Sequence, residues 1–279
     1  MAIIDTHLHL IYPDRLSYPW LAGAPAINKP WTIESYFAEA EKLGIEAALH
    51  MEVDVAEKDI EAETRFVTAL DPRLIGAIAG ARPEHADFPM WLEKLGTIGG
   101  VKAVRRILHQ SPDELSAPPL FAANLRRLPA YNLAFDLCIR ADQIPTIGIP
   151  LIKQCPHVQF VLDHCGNPDI AGSGLDPWRG HITEIAKLPN VVCKVSGIIA
   201  YGGPNPTAAM LRPYMEHVIA SFGWERVVWG SDHPVCTLTG TLTQWVGITN
   251  EVLAGTSADE KARLLRENAR RVYRLEDAA

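Results

Sequence analysis

The chain lacks a cysteine framework. Its five cysteines, Cys138, Cys155, Cys165, Cys193 and Cys236, are odd in number and show no Cys-x-x-Cys spacing. Several fall in apolar runs, so they read as reduced, buried thiols and not as disulfides or zinc thiolates. Long hydrophobic runs are also missing: none approaches the roughly 20 apolar residues that span a bilayer. The N-terminal Met1-Ala-Ile-Ile-Asp-Thr-His has neither the basic region nor the apolar stretch of a secretory signal, so a cytoplasmic location is expected. Positive charge is in deficit, with 26 Lys+Arg against 33 Asp+Glu and a formal charge of −7. That balance argues against nucleic acid or an anionic membrane as partner and toward a small molecule. Repeats, low-complexity tracts and Gly/Ser/Pro linkers are absent too, so the expectation is one domain over residues 1–279. The sequence carries no sign of its oligomeric state.

What the chain does have is 48% hydrophobic residues, ample for a core, arranged as an alternation of two element types. Short apolar or β-branched runs closing on polar residues occur at 3–5, 47–52, 74–80, 101–106, 133–139, 158–164, 191–195 and 226–229. Between them lie segments of helical period. In 207–222, Met210, Leu211, Tyr214, Met215, Val218, Ile219 and Phe222 form one stripe, with Thr207 placed to cap the start and Gly223 to end it. Pro213 interrupts this pattern unless the helix starts late or kinks. Residues 32–43 repeat the design before Gly44, and Ser257-Ala-Asp-Glu260 has the form of a capping box. Eight apolar strands alternating with helices predict a parallel sheet covered by helices, best closed as an α/β (β/α)8 TIM-type barrel. An open doubly wound sheet is the runner-up, but no Gly-x-Gly-x-x-Gly follows the first strand.

Barrel chemistry sits at the C-terminal ends of strands, so the residues that finish the apolar runs are the informative ones. These ends read Asp5-Thr-His7-Leu-His9, His50-Met-Glu52, Arg82, Arg105-Arg106, Asp163-His164, Lys194-Val-Ser196 and Ser231-Asp232-His233. On a strand, His7 and His9 point to one face about 6–7 Å apart, where they can hold one metal ion or one oxyanion. With His164 and Asp232 they make three imidazoles and a carboxylate, a donor set suited to one Zn²⁺ or a similar ion.

In these motifs the sequence resembles the amidohydrolase superfamily. Asp5-Thr-His7-Leu-His9, Leu162-Asp-His164-Cys-Gly166, Cys193-Lys-Val-Ser-Gly197 and Gly230-Ser-Asp232-His-Pro234, together with Tyr18-Pro-Trp20-Leu21, look like its sugar-lactone lactonase branch. That branch includes fuconolactonase-like and sulfomuconolactonase-like enzymes and is related to pyrone-dicarboxylate lactonases. The likeness extends from about residue 3 to Glu267-Asn-Ala-Arg-Arg271. It implies hydrolysis of a small lactone and at most one divalent metal, zinc first, with metal-free catalysis also open. Binuclear members bridge two metals with a Lys or Glu ending strand four and add a His from strand five. Here strand four ends in Arg105-Arg106 and strand five in Leu137-Cys-Ile139-Arg140.

Lactone opening needs a base, an electrophile and a proton donor. Asp232 is the expected base. His7, His9 and His164 are expected either to coordinate the metal with Asp232 or to donate hydrogen bonds directly. Without a metal, Arg105, Arg106 and Lys194 would polarise the carbonyl, and a lysine inside Val-Val-Cys-Lys-Val requires an anion nearby. Arg105 and Arg106 alternate in direction, so one enters the bowl, and the family pattern favours Arg105. Glu52, Arg82, His109, Gln110, Asp163 and Trp20 are further candidate substrate contacts. A second reading is a metal-dependent non-oxidative decarboxylase acting on an aromatic or unsaturated acid, since that chemistry shares the barrel and similar strand ends.

Overall fold

In the computed structural model, which describes residues 2–172 and 174–275, the eight runs become eight parallel strands. They are β1 (Ile3–Leu8), β2 (Ile45–Met51), β3 (Leu74–Gly80), β4 (Val101–Ile107), β5 (Ala134–Cys138), β6 (Phe160–Leu162), β7 (Val191–Val195) and β8 (Val227–Trp229). Each pairs with the next in chain order, and helices between them cover the outside. The terminal parts of the expected 1–279 domain, Met1 and residues 276–279, lie outside the described residues. Among the described residues no helix is long and apolar enough to cross a membrane. All five cysteines are free and buried.

The seam between β8 and β1 is closed by individual bonds, not by a regular ladder. Asp232 N donates to His7 O and His9 N to His233 O, both at 2.8 Å. Thr6 Oγ1 donates to Trp229 O at 2.8 Å. The carboxylate of Asp5 adds a clamp, with Oδ1 accepting from Ser231 N at 2.7 Å and His7 N at 3.0 Å, and Oδ2 from Tyr36 Oη at 2.5 Å.

Along β1, Asp5 pairs with Ala48 but Leu8 with His50, so β1 spends three residues where β2 spends two. This bulge reverses the alternation. Ile4 packs in the barrel's lower apolar layer, and above the bulge His7 and His9 also point inward while Leu8 joins the helix-facing core.

That lower layer comprises Ile4, Leu49, Ile78, Ala103, Ala134, Val161, Val192 and Val228, and it is sealed from below by Ala269, Val272 and Tyr273 of the helix Asn268–Tyr273. The outer core is larger and lies between strands and helices. Two expected helix boundaries hold: Thr207 caps Ala208–Phe222, and Ser257 with Glu260 forms a capping box. Ala208–Phe222 continues through Pro213. β6 is shorter than 158–164 because His164 and Cys165 take left-handed backbone angles, both at φ 54°, which ends the ladder at Leu162.

Tyr273 crosses the apolar floor to donate its hydroxyl to Asp136 Oδ2 at 2.9 Å. Tyr273→Ala is expected to cost about 3–5 kcal/mol, the range for a large buried aromatic, whereas Tyr273→Phe should cost about 1–3 kcal/mol for the polar partner it strands. Urea unfolding of the two variants checks the order; equal losses would contradict a role for the hydroxyl.

Candidate active site

At the C-terminal end of the barrel is a bowl of about 340 Å³ whose wall includes His9, Trp20, Arg105, His109, His164 and Asp232. His7, one layer deeper, is fully buried. Its ring lies 4.9 Å from that of His9 and 4.5 Å from that of His164. Two glycines allow this crowding. A Cβ on Gly230 would meet the His7 Cβ at 2.7 Å, and one on Gly197, which also sits at φ +70°, would collide with the His164 ring. Asp232, like His164, holds a left-handed backbone angle, φ 57°, a conformation disfavoured for a side chain with a Cβ and typical of functional positions.

Each imidazole is oriented by a partner behind it. His9 Nδ1 donates to Met51 O at 3.0 Å, and His164 Nδ1 meets Ser196 Oγ at 2.9 Å. His7 Nδ1 lies 3.5 Å from Asp163 Oδ1 and 3.3 Å from Lys194 Nζ. Burial pushes all three histidines down, His9 to about 3 with Arg105 and His50 adding to the effect, so all three are neutral at pH 7. Asp232 Oδ1 is 3.6 Å from His7 Nε2 and 3.5 Å from His9 Nε2. Its Oδ2 is buried without a hydrogen-bond partner, and burial lifts the carboxyl to about 6.

A second layer beneath carries fixed charge. Lys194 Nζ lies 2.5 Å from Asp136 Oδ2 and 3.0 Å from Asp163 Oδ1, all fully buried. Burial works against the ammonium, but the two carboxylates outweigh it and raise its pKa. Asp163 also feels burial, yet Lys194 and His7 hold it well below the ordinary carboxylate range. Arg105 is clamped by Glu52, with Nε on Oε1 at 2.6 Å and Nη2 on the backbone oxygen at 2.7 Å. This leaves Nη1 directed at His7 Nε2, 3.4 Å away.

The donor set fits a single divalent ion. Four ligands at about 2.0–2.1 Å from a tetrahedral zinc lie about 3.3–3.4 Å from one another, close to the Asp232–His7 and Asp232–His9 separations. The imidazoles are neutral, the orienting bonds behind them are those of metal-bound histidines, and Asp232 Oδ2 is an orphaned acceptor. The four expected ligands do not form one cluster. Among the described residues they make two triads that share His7: His7, His9 and Asp232, and His7, His164 and Asp163.

The remaining sequence candidates separate clearly. Trp20 and His109 line the bowl, with Trp20 Nε1 tied to Val53 O at 2.7 Å. Lys194, Asp163 and Glu52 do not line the bowl but stand behind it, the first two against His7 and Glu52 against Arg105. Arg106 points away to Glu84 Oε1 at 2.8 Å, so Arg105 is the one that enters the bowl, as the family pattern favoured. Arg82 lies outside the bowl near Asp54 and Glu57, each at 3.7 Å. Sequence reasoning missed Asp136 and Asn167. For Asp136 a signal existed: a lone carboxylate within Ala-Phe-Asp-Leu-Cys raises the same question as a lysine within β7.

Neutral imidazoles, a carboxylate with a free oxygen and an arginine gathered at the C-terminal end of a parallel barrel stand where barrel enzymes carry their active sites. The chain belongs to the amidohydrolase family, whose model matches residues 4–275. It is 27% identical to L-fucono-1,5-lactonase of Burkholderia multivorans, over 99% of this chain and 97% of that one. It is 25% identical to 4-sulfomuconolactone hydrolase of Rhizobium radiobacter, over 82% and 75%. Its fold superposes on the crystal structure of a Burkholderia multivorans amidohydrolase with bound zinc at TM-score 0.89 and 22% identity, covering 99% and 100% of the two chains.

Arg105→Met leaves the Glu52 carboxylate buried and unpaired, and is expected to cost about 3–5 kcal/mol. Arg105→Met with Glu52→Gln should recover part of that loss in urea unfolding; an additive second loss would show that the pair is not the source.

Proposed function

We propose that the protein hydrolyses the ring of a small lactone, of the sugar-acid or muconolactone type. The observation that carries this reading is the Asp232 carboxylate, with one free oxygen, facing the same bowl as His164 and the Arg105 guanidinium. The lactonase names of relatives aligned over most of the chain support it.

Asp232 Oδ2 accepts a proton from the attacking water and returns it to the ring oxygen as that oxygen leaves. Glu52 holds the Arg105 guanidinium through Nε and Nη2 in advance of substrate, which fixes Nη1, beside His7 Nε2, as the donor to the developing oxyanion. His164, with Nδ1 occupied by the Ser196 hydroxyl, turns Nε2 toward the substrate. Lys194 and Asp163 hold the His7 ring from behind. Trp20 and Ile107 provide apolar wall that limits water to the reacting face. His7, His9 and Asp232 would hold one divalent ion, zinc first, and the chemistry supplied there is polarisation of the carbonyl.

A pH-indicator screen against aldonolactones, muconolactones and a pyrone dicarboxylate tests the reading, with metal content measured on the same sample. Asp232→Asn is expected to lower kcat at least about 10²-fold on the lactone that is opened. His9→Ala should lose zinc in equilibrium dialysis. Turnover of an aromatic acid that chelator abolishes, with every lactone untouched, would establish the decarboxylase instead.

A further inference from the structure

Beside the bowl lies a larger cleft of about 720 Å³, and the two are continuous: His109, Gln110, Asn167 and Tyr201 belong to the walls of both. At about 340 Å³ the bowl is near the small end of the roughly 300–1,000 Å³ usual for small-molecule sites. A single lactone ring with its substituents occupies it and leaves the cleft unused. None of His9, Arg105, His164 and Asp232 lines the cleft, so what it adds is binding surface.

The chemistry of that surface is selective. Its charged groups are already engaged: Arg140 donates to Asp113 at 3.0 Å, Asp142 at 3.1 Å and the His109 carbonyl at 3.1 Å, and Asp176 holds Arg179 at 2.6 Å. Asp169 accepts from Gly172 N at 2.9 Å. On the wall itself Arg140 is outnumbered by Asp142, Asp169 and Asp176, so among the described residues a phosphate or carboxylate arm meets acidic surface and a single arginine already paired.

The polar groups left open are amides, a hydroxyl and an imidazole. Asn167 uses its Nδ2 on Ile139 O at 2.7 Å and keeps its oxygen, and His181 uses Nδ1 on Ala141 O at 2.9 Å and keeps Nε2. Gln110 and the Tyr201 hydroxyl complete the set, with Pro168, Ile170 and Pro177 supplying carbon surface between them. Amide, hydroxyl and imidazole donors and acceptors over an apolar wall match a sugar ring, which packs its C–H face on carbon and sends its hydroxyls to polar partners.

We infer that this cleft is a glycosyl subsite: the lactone opened in the bowl carries a neutral sugar residue, and the cleft holds that residue. The inference rests on the lactone-opening reading and deepens it to aldonolactones of disaccharide type.

The test compares kcat/KM for glucono-1,5-lactone with that for cellobiono- and maltobiono-1,5-lactone, and with 6-phosphogluconolactone as the anionic arm. At least one disaccharide lactone is expected to exceed the monosaccharide at least 10-fold, and the phosphorylated lactone to fall below it. His181→Trp, which fills the cleft, is expected to bring the disaccharide-to-monosaccharide ratio to near one, and Gln110→Ala to lower it if the tryptophan variant does not fold. Equal efficiencies in the wild type, a preference for the phosphorylated lactone, or a ratio that neither variant moves would overturn the subsite. Should no lactone be opened, the hydrolytic reading fails separately. Calorimetry with cellobionate and gluconate then decides the cleft, 10-fold tighter cellobionate binding supporting it and equal affinities overturning it.

Discussion

The ammonium of Lys194, enclosed between Asp136 and Asp163 inside a parallel barrel, is the interaction on which the site depends. Removing such charges from water costs several kcal/mol per ion, and only close mutual pairing offsets it. The pairing leaves no freedom: Asp163 and Lys194 meet His7 Nδ1, and Asp136 meets Tyr273 from the helix that seals the barrel floor. One connected set of polar groups therefore runs from the C-terminal helix to the floor of the bowl. Around it, four buried carboxyl groups, Glu52, Asp136, Asp163 and Asp232, face the two permanent cations Lys194 and Arg105.

Backbone geometry places the reacting groups on this base. The extra residue in β1 turns His7 inward above Ile4, where an unbroken strand would have sent it to the helix layer. Left-handed angles at His164 and Asp232 turn their side chains into the bowl just where the ladders of β6 and β8 stop. Gly197 and Gly230 remove the two Cβ atoms that would occupy the space of the His164 and His7 rings. Strand-end motifs such as Lys-Val-Ser-Gly and Gly-Ser-Asp are thus steric statements as much as chemical ones. The histidine rings can pack this closely only because their neighbours are glycine.

The two arginines near the end of β4 show how local pattern and context divide the work. Alternation along a strand requires that one of Arg105 and Arg106 point inward, but it does not say which. The register does: Ala103 packs in the lower layer and Arg105 follows it upward, while Arg106 turns to Glu84 outside the bowl.

Eight strands with helices between them, the barrel, and most of the strand-end residues were legible in the sequence, because a doubly buried parallel strand must be a short apolar run and must end where chemistry begins. Individual strand limits were less legible. β1 extends to Leu8 through polar residues because its side-chain hydroxyl and carboxylate close the seam, a use of Thr6 and Asp5 that depends on β8 being adjacent. The role of Asp136 and the split of the four expected metal ligands into two triads depend on which side chains meet across the barrel, a relation between strands remote in the chain. The sequence by itself therefore determined which chemical groups stand at the mouth of the barrel, since periodicity and strand ends are local properties. Only the tertiary structure decided which of those groups touch substrate space and which lie beneath, because burial and pairing are set by neighbours that the chain brings in from elsewhere.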